Sequence, residues 1–318
     1  MLKQRIITAL ILLPVALAGF FLLDGPGFAL FIGAVITLGA WEWARLAGLQ
    51  TQKLRVAYAL AVVILLGWLY RFPQLAVPVL ALGVLWWGFA IWAVLRYPAS
   101  ADTWRAQPVR LLIGLLILLP AFQGLLLLKQ WPLGNWLIVS VMVLVWVADI
   151  GAYFAGRTFG KRKLAPKVSP GKSWEGLVGG LLASLLVTLG VGLYRDWLPA
   201  ELLLALLGAT VVVLISVVGD LTESMFKRQA GMKDSSNLLP GHGGVLDRID
   251  SLTAAVPVFA VLLWAVQALG LGLDQAAYLQ GIVALGVVGG AVLVASRLRL
   301  RHATAVLPLG QFMGVFMM

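Results

Sequence analysis

The sequence predicts an all-α membrane protein, a polytopic bundle of about nine or ten transmembrane helices. Mean hydropathy is +0.98, only 12% of the 318 residues are charged, and long apolar runs recur along the chain. A run of about 20 apolar residues matches the hydrocarbon thickness of a bilayer. Because hydrocarbon supplies no hydrogen-bond partners, each run can satisfy its backbone only as a helix.

The apolar runs give the predicted spans in chain order. They cover residues 6–23, 28–44, 56–70, 74–95, 111–128, 136–156, 174–194, 201–219, 251–269 and 279–296. The first run follows Lys3 and Arg5 as a signal peptide would, but it lacks a small-residue cleavage site and further spans follow. We therefore expect it to be retained as the first helix.

The distribution of basic residues predicts the orientation. With a cytoplasmic N-terminus and alternating spans, the inside segments hold all but three of the 24 Lys and Arg, the exceptions being Arg71, Lys129 and Arg195. The positive-inside rule favours this orientation. The net charge of +11 is then a property of the cytoplasmic face. No motif supports nucleic-acid binding, and the absence of cysteine excludes disulfides and thiolate sites.

We divide the chain into three regions. Residues 1–135 hold five spans, residues 136–270 form the predicted catalytic region, and residues 271–318 are a C-terminal extension with the tenth apolar run. Cytoplasmic loops 157–173 and 220–250 are the only predicted loops with room for chemistry. We find no internal repeat, which argues against a transporter built from inverted repeats.

The second of these loops carries paired acids. If residues 210–228 form one helix, Asp220, Glu223 and Lys227 share a face with Ser216. Two carboxylate pairs on helices that bracket one loop can converge on Mg²⁺, which prefers oxygen ligands. The second pair, Asp247 and Asp250, stands where the ninth span begins. The structural alternative is that these two cap a helix and that Glu223–Lys227 is an ordinary i,i+4 pair.

Asp149 lies inside the sixth predicted span, about two turns from its cytoplasmic end. An ionisable group there costs several kcal/mol unless it faces a cavity, a partner or a metal, so a functional role is the default interpretation. We expect a cation beside it, either a bound metal or a lysine such as Lys227. The alternative is a neutral or paired structural aspartate. Small residues that would admit another helix or a lipid headgroup lie at positions 148, 151, 152, 155 and 156.

Two glycine-containing loops could contact phosphate. The triplet at 171–173 resembles the end of a P-loop, but Pro166 occupies the position of its first glycine. A basic loop that leads into a helix N-terminus can still hold phosphate groups. The alternatives are that Ser173 only caps the seventh span and that nearby glycines only serve packing. His242, among three glycines, could donate to a phosphate or satisfy a loop carbonyl.

These features together resemble the phosphatidate cytidylyltransferases, the enzymes that make CDP-diacylglycerol. The residues that carry the resemblance are Ser224, Lys227-Arg228, Lys233-Asp234, Pro240 to Gly244 and Asp247-Arg248-Ile249-Asp250. The resemblance implies CTP and phosphatidic acid as substrates, CDP-diacylglycerol and pyrophosphate as products, and an active site that faces the cytoplasm at a bacterial inner membrane. It also implies Mg²⁺, as one or two divalent ions, with room for a monovalent ion. Small residues on helix faces are compatible with a homodimer.

The resemblance also implies residue roles. The catalytic residues would be Asp220, Asp247, Lys227 and Asp149. The metal ligands would be Asp220 and Asp247, supported by Asp250 and Glu223. Substrate would contact Ser169, Lys172, Ser224, Arg228, Lys233, His242 and Arg248.

Three other classes stay open from the sequence alone. A related enzyme could use CTP with another lipid, as a CDP-archaeol synthase does. A CTP-dependent kinase, such as a polyprenol kinase, would transfer the γ-phosphoryl group and release CDP. An ion or lipid transporter would spread polar residues across the bilayer, whereas here they cluster at one face.

Overall fold

The computed structural model describes residues 2–269, which form long α-helices and one short β-hairpin. The helices are α1 (Leu2–Leu22), α2 (Gly25–Leu46), α3 (Gln52–Arg71), α4 (Ala76–Leu95), α5 (Gln107–Gln130), α6 (Gly134–Phe159), α7 (Trp174–Tyr194), α8 (Pro199–Gln229) and α9 (Leu246–Ala268). The strands are β1 (Lys163–Ala165) and β2 (Ser169–Ser173), and short 3-10 helices at Pro73–Leu75 and Ala99–Trp104 precede α4 and α5.

The predicted all-α fold class and the first nine predicted helices are confirmed. Within residues 2–269, eight helices are long and apolar enough to cross a membrane, and α1 contributes a shorter apolar segment, Ile11–Leu22. The predicted tenth span, residues 279–296, lies outside the described residues.

Two helices extend beyond the predicted spans on the side of the polar loops. Helix α8 is continuous to Gln229, so Asp220, Glu223 and Lys227 do share one helix, as their spacing requires. Helix α6 continues to Phe159, which places Asp149 about three turns from its end rather than about two. The apolar pattern underestimates both helices because their last turns carry polar residues.

The predicted loop 157–173 contains a β-hairpin that the sequence analysis did not anticipate. Strands β1 and β2 pair antiparallel, with Lys163 opposite Ser173 and Ala165 opposite Ser169. The hydroxyl of Ser173 then accepts the backbone N–H of Gly176 at 3.1 Å and caps α7, as the structural alternative proposed. The hairpin thereby holds Lys172 directly before a helix N-terminus.

Small residues bring α6 and α7 into close contact. A Cβ at Gly151 would lie 2.7 Å from Ala183 Cβ, and one at Gly176 would lie 2.9 Å from the Ala152 carbonyl oxygen. Both distances are shorter than ordinary carbon contacts, so larger side chains would separate the helices. The expectation that small residues around Asp149 admit another helix is confirmed.

The connections between helices gather at two ends of the bundle. At one end, which we call the hairpin end, contacts join Gln107 to Gly48, Trp104 to Gln229 and Arg228 to Val168. At the opposite end, Lys129 Nζ lies 3.0 Å from Asp24 Oδ1. The two loops predicted to carry chemistry, 157–173 and 220–250, therefore meet at the hairpin end.

Candidate active site

A polar cavity of about 620 Å³ lies at the hairpin end among α6, α7, α8, α9 and strand β2. Its charged and polar lining residues are Asp149, Tyr153, Arg157, Lys172, Ser173, Asp220, His242, Asp247, Arg248, Asp250 and Ser251. Residues predicted from one span and two separate loops therefore line the same space. The glycine at 219 contributes to this convergence, since a Cβ there would lie 2.6 Å from the Asp250 carbonyl oxygen.

Lys172 and Asp220 form an ion pair across this cavity. The Lys172 Nζ lies 2.5 Å from Asp220 Oδ2, and the Ser224 hydroxyl donates to Asp220 Oδ1 at 3.2 Å. Burial alone would lower the pKa of Lys172, but the carboxylates of Asp220 and Asp149 reverse this effect and raise it above its ordinary value. The Lys172 ammonium therefore stays charged at neutral pH.

Asp149 forms part of the cavity wall on α6. The sequence analysis gave Lys227 as an example of a cation near Asp149, but Lys172 is the lysine that lines the same cavity and whose charge acts on Asp149. The carboxylates of Asp220 and Asp250 also act on Asp149 electrostatically. Asp149 is thus a member of the same charged group and not an isolated ion pair in the bilayer.

Lys227 belongs to a second group of charges behind the cavity wall. Its Nζ lies 2.6 Å from Asp247 Oδ1 and 3.3 Å from Glu223 Oε1. The Glu223 contact is the i,i+4 pair that the structural alternative predicted. Neither Lys227 nor Glu223 lines the cavity. Because Lys227 lies on α8 and Asp247 on α9, their ion pair joins the two helices.

Asp247 organises the loop that precedes α9. Its Oδ2 accepts hydrogen bonds from Ser235 N–H at 2.9 Å, Ser235 Oγ–H at 2.8 Å and Gly244 N–H at 2.8 Å. Its Oδ1 accepts from Lys227. Gly243 adopts a φ of +83° within this loop, a backbone conformation that glycine adopts without strain. Both carboxylate oxygens of Asp247 are thus engaged by protein donors.

Glu42 is a buried carboxylate that the sequence analysis missed. It lies in α2, is 1% exposed, and accepts from Ser236 Oγ–H at 2.6 Å and from the N–H groups of Val245 and Leu246 at 2.9 and 2.6 Å. These contacts satisfy the N-terminus of α9 and fix the same loop that Asp247 holds. The signal that could have found Glu42 is the one that identified Asp149, an ionisable residue inside an apolar run.

The predicted substrate-binding residues fall into two sets. Lys172, His242 and Arg248 line the cavity, and the Arg248 guanidinium donates to the His242 carbonyl at 2.7 and 3.0 Å. The others lie outside the lining, and they are Ser169, Ser224, Arg228 and Lys233. Arg157, which was not predicted, lines the cavity and donates to the Tyr153 hydroxyl at 2.9 Å.

The donor set of the cavity suits a hard cation. Asp220 and Asp250 present carboxylate oxygens, and the five acids of both charge groups outnumber the four cations, Arg157, Lys172, Lys227 and Arg248. Among residues 2–269, no group of three or more His, Cys, Asp or Glu could hold a metal ion. A cation here would therefore complete its coordination with phosphate oxygens or water, as Mg²⁺ commonly does.

Comparison with known proteins gives matches over most of the chain. A model of the cytidylyltransferase family matches residues 3–266. A phosphatidate cytidylyltransferase from Pseudomonas aeruginosa is 71% identical over 265 residues, which cover 83% of this chain and 98% of that relative. Proteins of the same name from Haemophilus influenzae and Brucella suis are 46% and 38% identical over 282 and 259 residues. These alignments cover 82% and 80% of this chain and 98% and 90% of the relatives.

Proposed function

We propose that this chain, which belongs to the cytidylyltransferase family, transfers CMP from CTP to phosphatidic acid and releases pyrophosphate. The product is CDP-diacylglycerol, a precursor for phospholipid synthesis. The observation that carries the proposal is the polar cavity at the hairpin end, where Lys172, Asp220 and Asp250 meet at the ends of membrane helices. The names of relatives up to 71% identical support the same substrates.

The chemistry asks the protein mainly to hold two anions together. A phosphate oxygen of phosphatidic acid attacks the α-phosphorus of CTP and forms a new P–O bond. The bond from the α-phosphorus to the bridging oxygen breaks, and pyrophosphate leaves with the electron pair. The lipid phosphate is already ionised near neutral pH, so no strong general base is needed, and catalysis rests on positioning and charge stabilisation.

Lys172 is the cation best placed to contact the CTP phosphates. Its ammonium stays charged, lies at the cavity surface, and is held by the β-hairpin and by Asp220. Arg157 and Arg248 offer further donors at the cavity wall. Lys227, predicted as a catalytic contact, acts in this proposal by positioning Asp247 at the cavity wall and Glu223 behind it.

Asp220 and Asp250 are the carboxylates that would hold a divalent cation such as Mg²⁺, with Asp149 beside them. The sequence analysis favoured Asp220 and Asp247. Asp247 also lines the cavity, but it accepts four hydrogen bonds, three of them from the loop before α9, whereas Asp220, among residues 2–269, accepts only from Lys172 and Ser224. Bound between these carboxylates and the phosphates, the cation would neutralise charge on the transferring group.

The membrane orientation belongs to this proposal. The hairpin end carries the basic loops, so the positive-inside rule favours a cavity that faces the cytoplasm. CTP would enter from the cytoplasm and phosphatidic acid from the surrounding inner membrane. A homodimer stays a prediction from the small residues on the helix faces.

The reaction type is tested with CTP labelled at either the α- or the γ-phosphorus, in the presence of phosphatidic acid and Mg²⁺. We expect the α label in the lipid and the γ label in pyrophosphate. Asp220→Asn should lower the rate by at least about 100-fold, because it removes a carboxylate that would hold the cation at the transferring phosphate. Asp102→Asn, exposed on a short 3-10 helix, should not. A lipid that carries the γ label, with CDP as coproduct, would identify a kinase and reject the proposal.

A further inference from the structure

An apolar groove of about 830 Å³ runs beside the polar cavity. Helices α4 and α8 form its long walls, and α7, α9 and the β-hairpin complete it. Among the described residues that line it, Lys167 is the one that carries a charge, and it lies on the hairpin turn. The groove is therefore apolar along its length and basic where it reaches the hairpin end.

The length of the groove matches one leaflet of a bilayer. On α4 its lining extends from Val84 to Leu95, and on α8 from Val211 to Leu221. At 1.5 Å per residue these segments span roughly 15 to 17 Å. This is about half of the 30 Å hydrocarbon thickness of a bilayer, so the groove runs from the hairpin end to about the midplane.

The groove and the polar cavity share part of their lining. Leu164, Leu177 and Val217 line both spaces, and all three are half-buried. Lys167 at the groove mouth lies on the turn of the β-hairpin, and Lys172 in the cavity lies on strand β2 of the same hairpin. A lipid with its phosphate in the cavity therefore has an apolar channel next to its headgroup.

We propose that this groove holds one acyl chain of the phosphatidic acid substrate while the lipid phosphate occupies the polar cavity. The inference rests on the proposed function and adds a site for the lipid tail. Bilayer interiors are as apolar as the groove, so the transfer gains little hydrophobic free energy. The groove instead selects by shape, and it favours chains long enough to fill the depth of one leaflet.

Gly88 provides a way to fill the groove without disturbing the fold. It lies in the α4 wall, and a Cβ at this position would meet nothing within 4 Å. Gly88→Leu therefore narrows the groove without a backbone clash. Gly67→Leu in α3 is the matched control, because Gly67 is also exposed, also has open space at Cβ, and lines no part of the groove.

The experiment compares kcat/KM for dioleoyl and dioctanoyl phosphatidic acid in mixed micelles. Gly88→Leu should lower the value for the dioleoyl lipid by about tenfold, because a pocket that loses space for methylenes discriminates on this scale. The value for the dioctanoyl lipid and the KM for CTP should stay at wild-type levels. Gly67→Leu should match the wild type with both lipids.

An unchanged ratio between the two lipids in Gly88→Leu would overturn the inference and leave the groove to ordinary bilayer lipid. If Gly88→Leu does not purify as a folded protein, Ile91→Trp narrows the same wall and is judged by the same ratio. A wild-type protein that makes no CDP-diacylglycerol from either lipid would reject the proposed function, which is a distinct result.

Discussion

Each carboxylate at the hairpin end has different neighbours, and those neighbours determine what it can do. Asp220 is paired with Lys172 at the cavity surface, where a phosphate can reach both. Asp247 accepts the loop N–H groups of Ser235 and Gly244, so it fixes a loop. Glu42 accepts backbone N–H groups at the start of α9 and supports the same loop from α2. Asp220 is therefore available to substrate, whereas Asp247 and Glu42 hold the loop before α9 in place.

Asp149→Asn tests whether Asp149 supports the bound cation. The variant keeps the shape of the side chain and removes a charge that acts on Asp220 and Asp250. We expect the Mg²⁺ concentration for half-maximal rate to rise about fivefold, which corresponds to about 1 kcal/mol of charge interaction. Thermal stability in detergent should change little. A lower melting temperature with unchanged Mg²⁺ dependence would instead make Asp149 a structural residue.

Glu42→Gln tests the role of the missed carboxylate. The amide has one acceptor oxygen where the carboxylate has two, so at least one buried donor among Ser236, Val245 and Leu246 loses its partner. We expect a loss of about 1–3 kcal/mol in stability, seen as a lower melting temperature in detergent. Asp102→Asn, exposed on a short 3-10 helix, is the control and should melt like the wild type. Equal melting of both variants would contradict the assigned role.

Sequence reasoning identified many of the cavity residues because charge inside an apolar chain is costly and therefore informative. It predicted Asp149, Asp220 and Lys172, all of which line the cavity. It ranked Asp247 above Asp250 as a metal ligand, but it could not predict that loop N–H groups fold back onto the Asp247 carboxylate.

At the scale of the elements, close helix contacts set the positions of the acids. Helices α8 and α9 approach at Gly219, one residue before Asp220, against the backbone of Asp250. The helices themselves follow from the apolar pattern, but the β-hairpin does not. Its strands are three and five residues long and include Pro170 and Gly171, so neither alternation nor propensity signals them.

Gly219→Ala tests this helix contact. The added Cβ would lie 2.6 Å from the Asp250 carbonyl oxygen, so α8 and α9 must separate and the two acids must move apart. We expect a loss of about 1–3 kcal/mol in stability together with a marked fall in rate. Gly208→Ala in the same helix is the control, because its Cβ meets nothing within 4 Å. Both changes raise helix propensity, so a difference between them reports packing alone. Equal behaviour would argue against the contact.

At the scale of the whole molecule, the loops that carry basic residues gather at one end of the bundle. Contacts such as Trp104 Nε1–H to Gln229 Oε1 at 2.6 Å join segments far apart in sequence. Charge counting predicted which loops share a side, although it could not predict how they pack. The contact between the hairpin and the end of α8, from Arg228 to the Val168 carbonyl, depends on tertiary structure that no local pattern encodes.

Reporter fusions test the orientation of the bundle. Reporters placed after residues 105, 165 and 235 should all read cytoplasmic, and one placed after residue 197 should read external. The physical reason is that Lys and Arg are concentrated in the loops that contain residues 105, 165 and 235. A reversed reading at any of the four positions would contradict the assigned orientation.

The central claim, that CTP binds in the polar cavity at the hairpin end, is tested most directly by thiol protection. The chain contains no cysteine, so Gly171→Cys places a unique thiol at the cavity wall, where the added Cβ meets nothing within 4 Å. Gln50→Cys, exposed in a loop at the same end but away from the cavity, is the control. With CTP at about ten times its dissociation constant, maleimide labelling of Gly171→Cys should slow about tenfold, because only unbound protein reacts. Labelling of Gln50→Cys should not change, and equal labelling of Gly171→Cys with and without CTP would contradict the account.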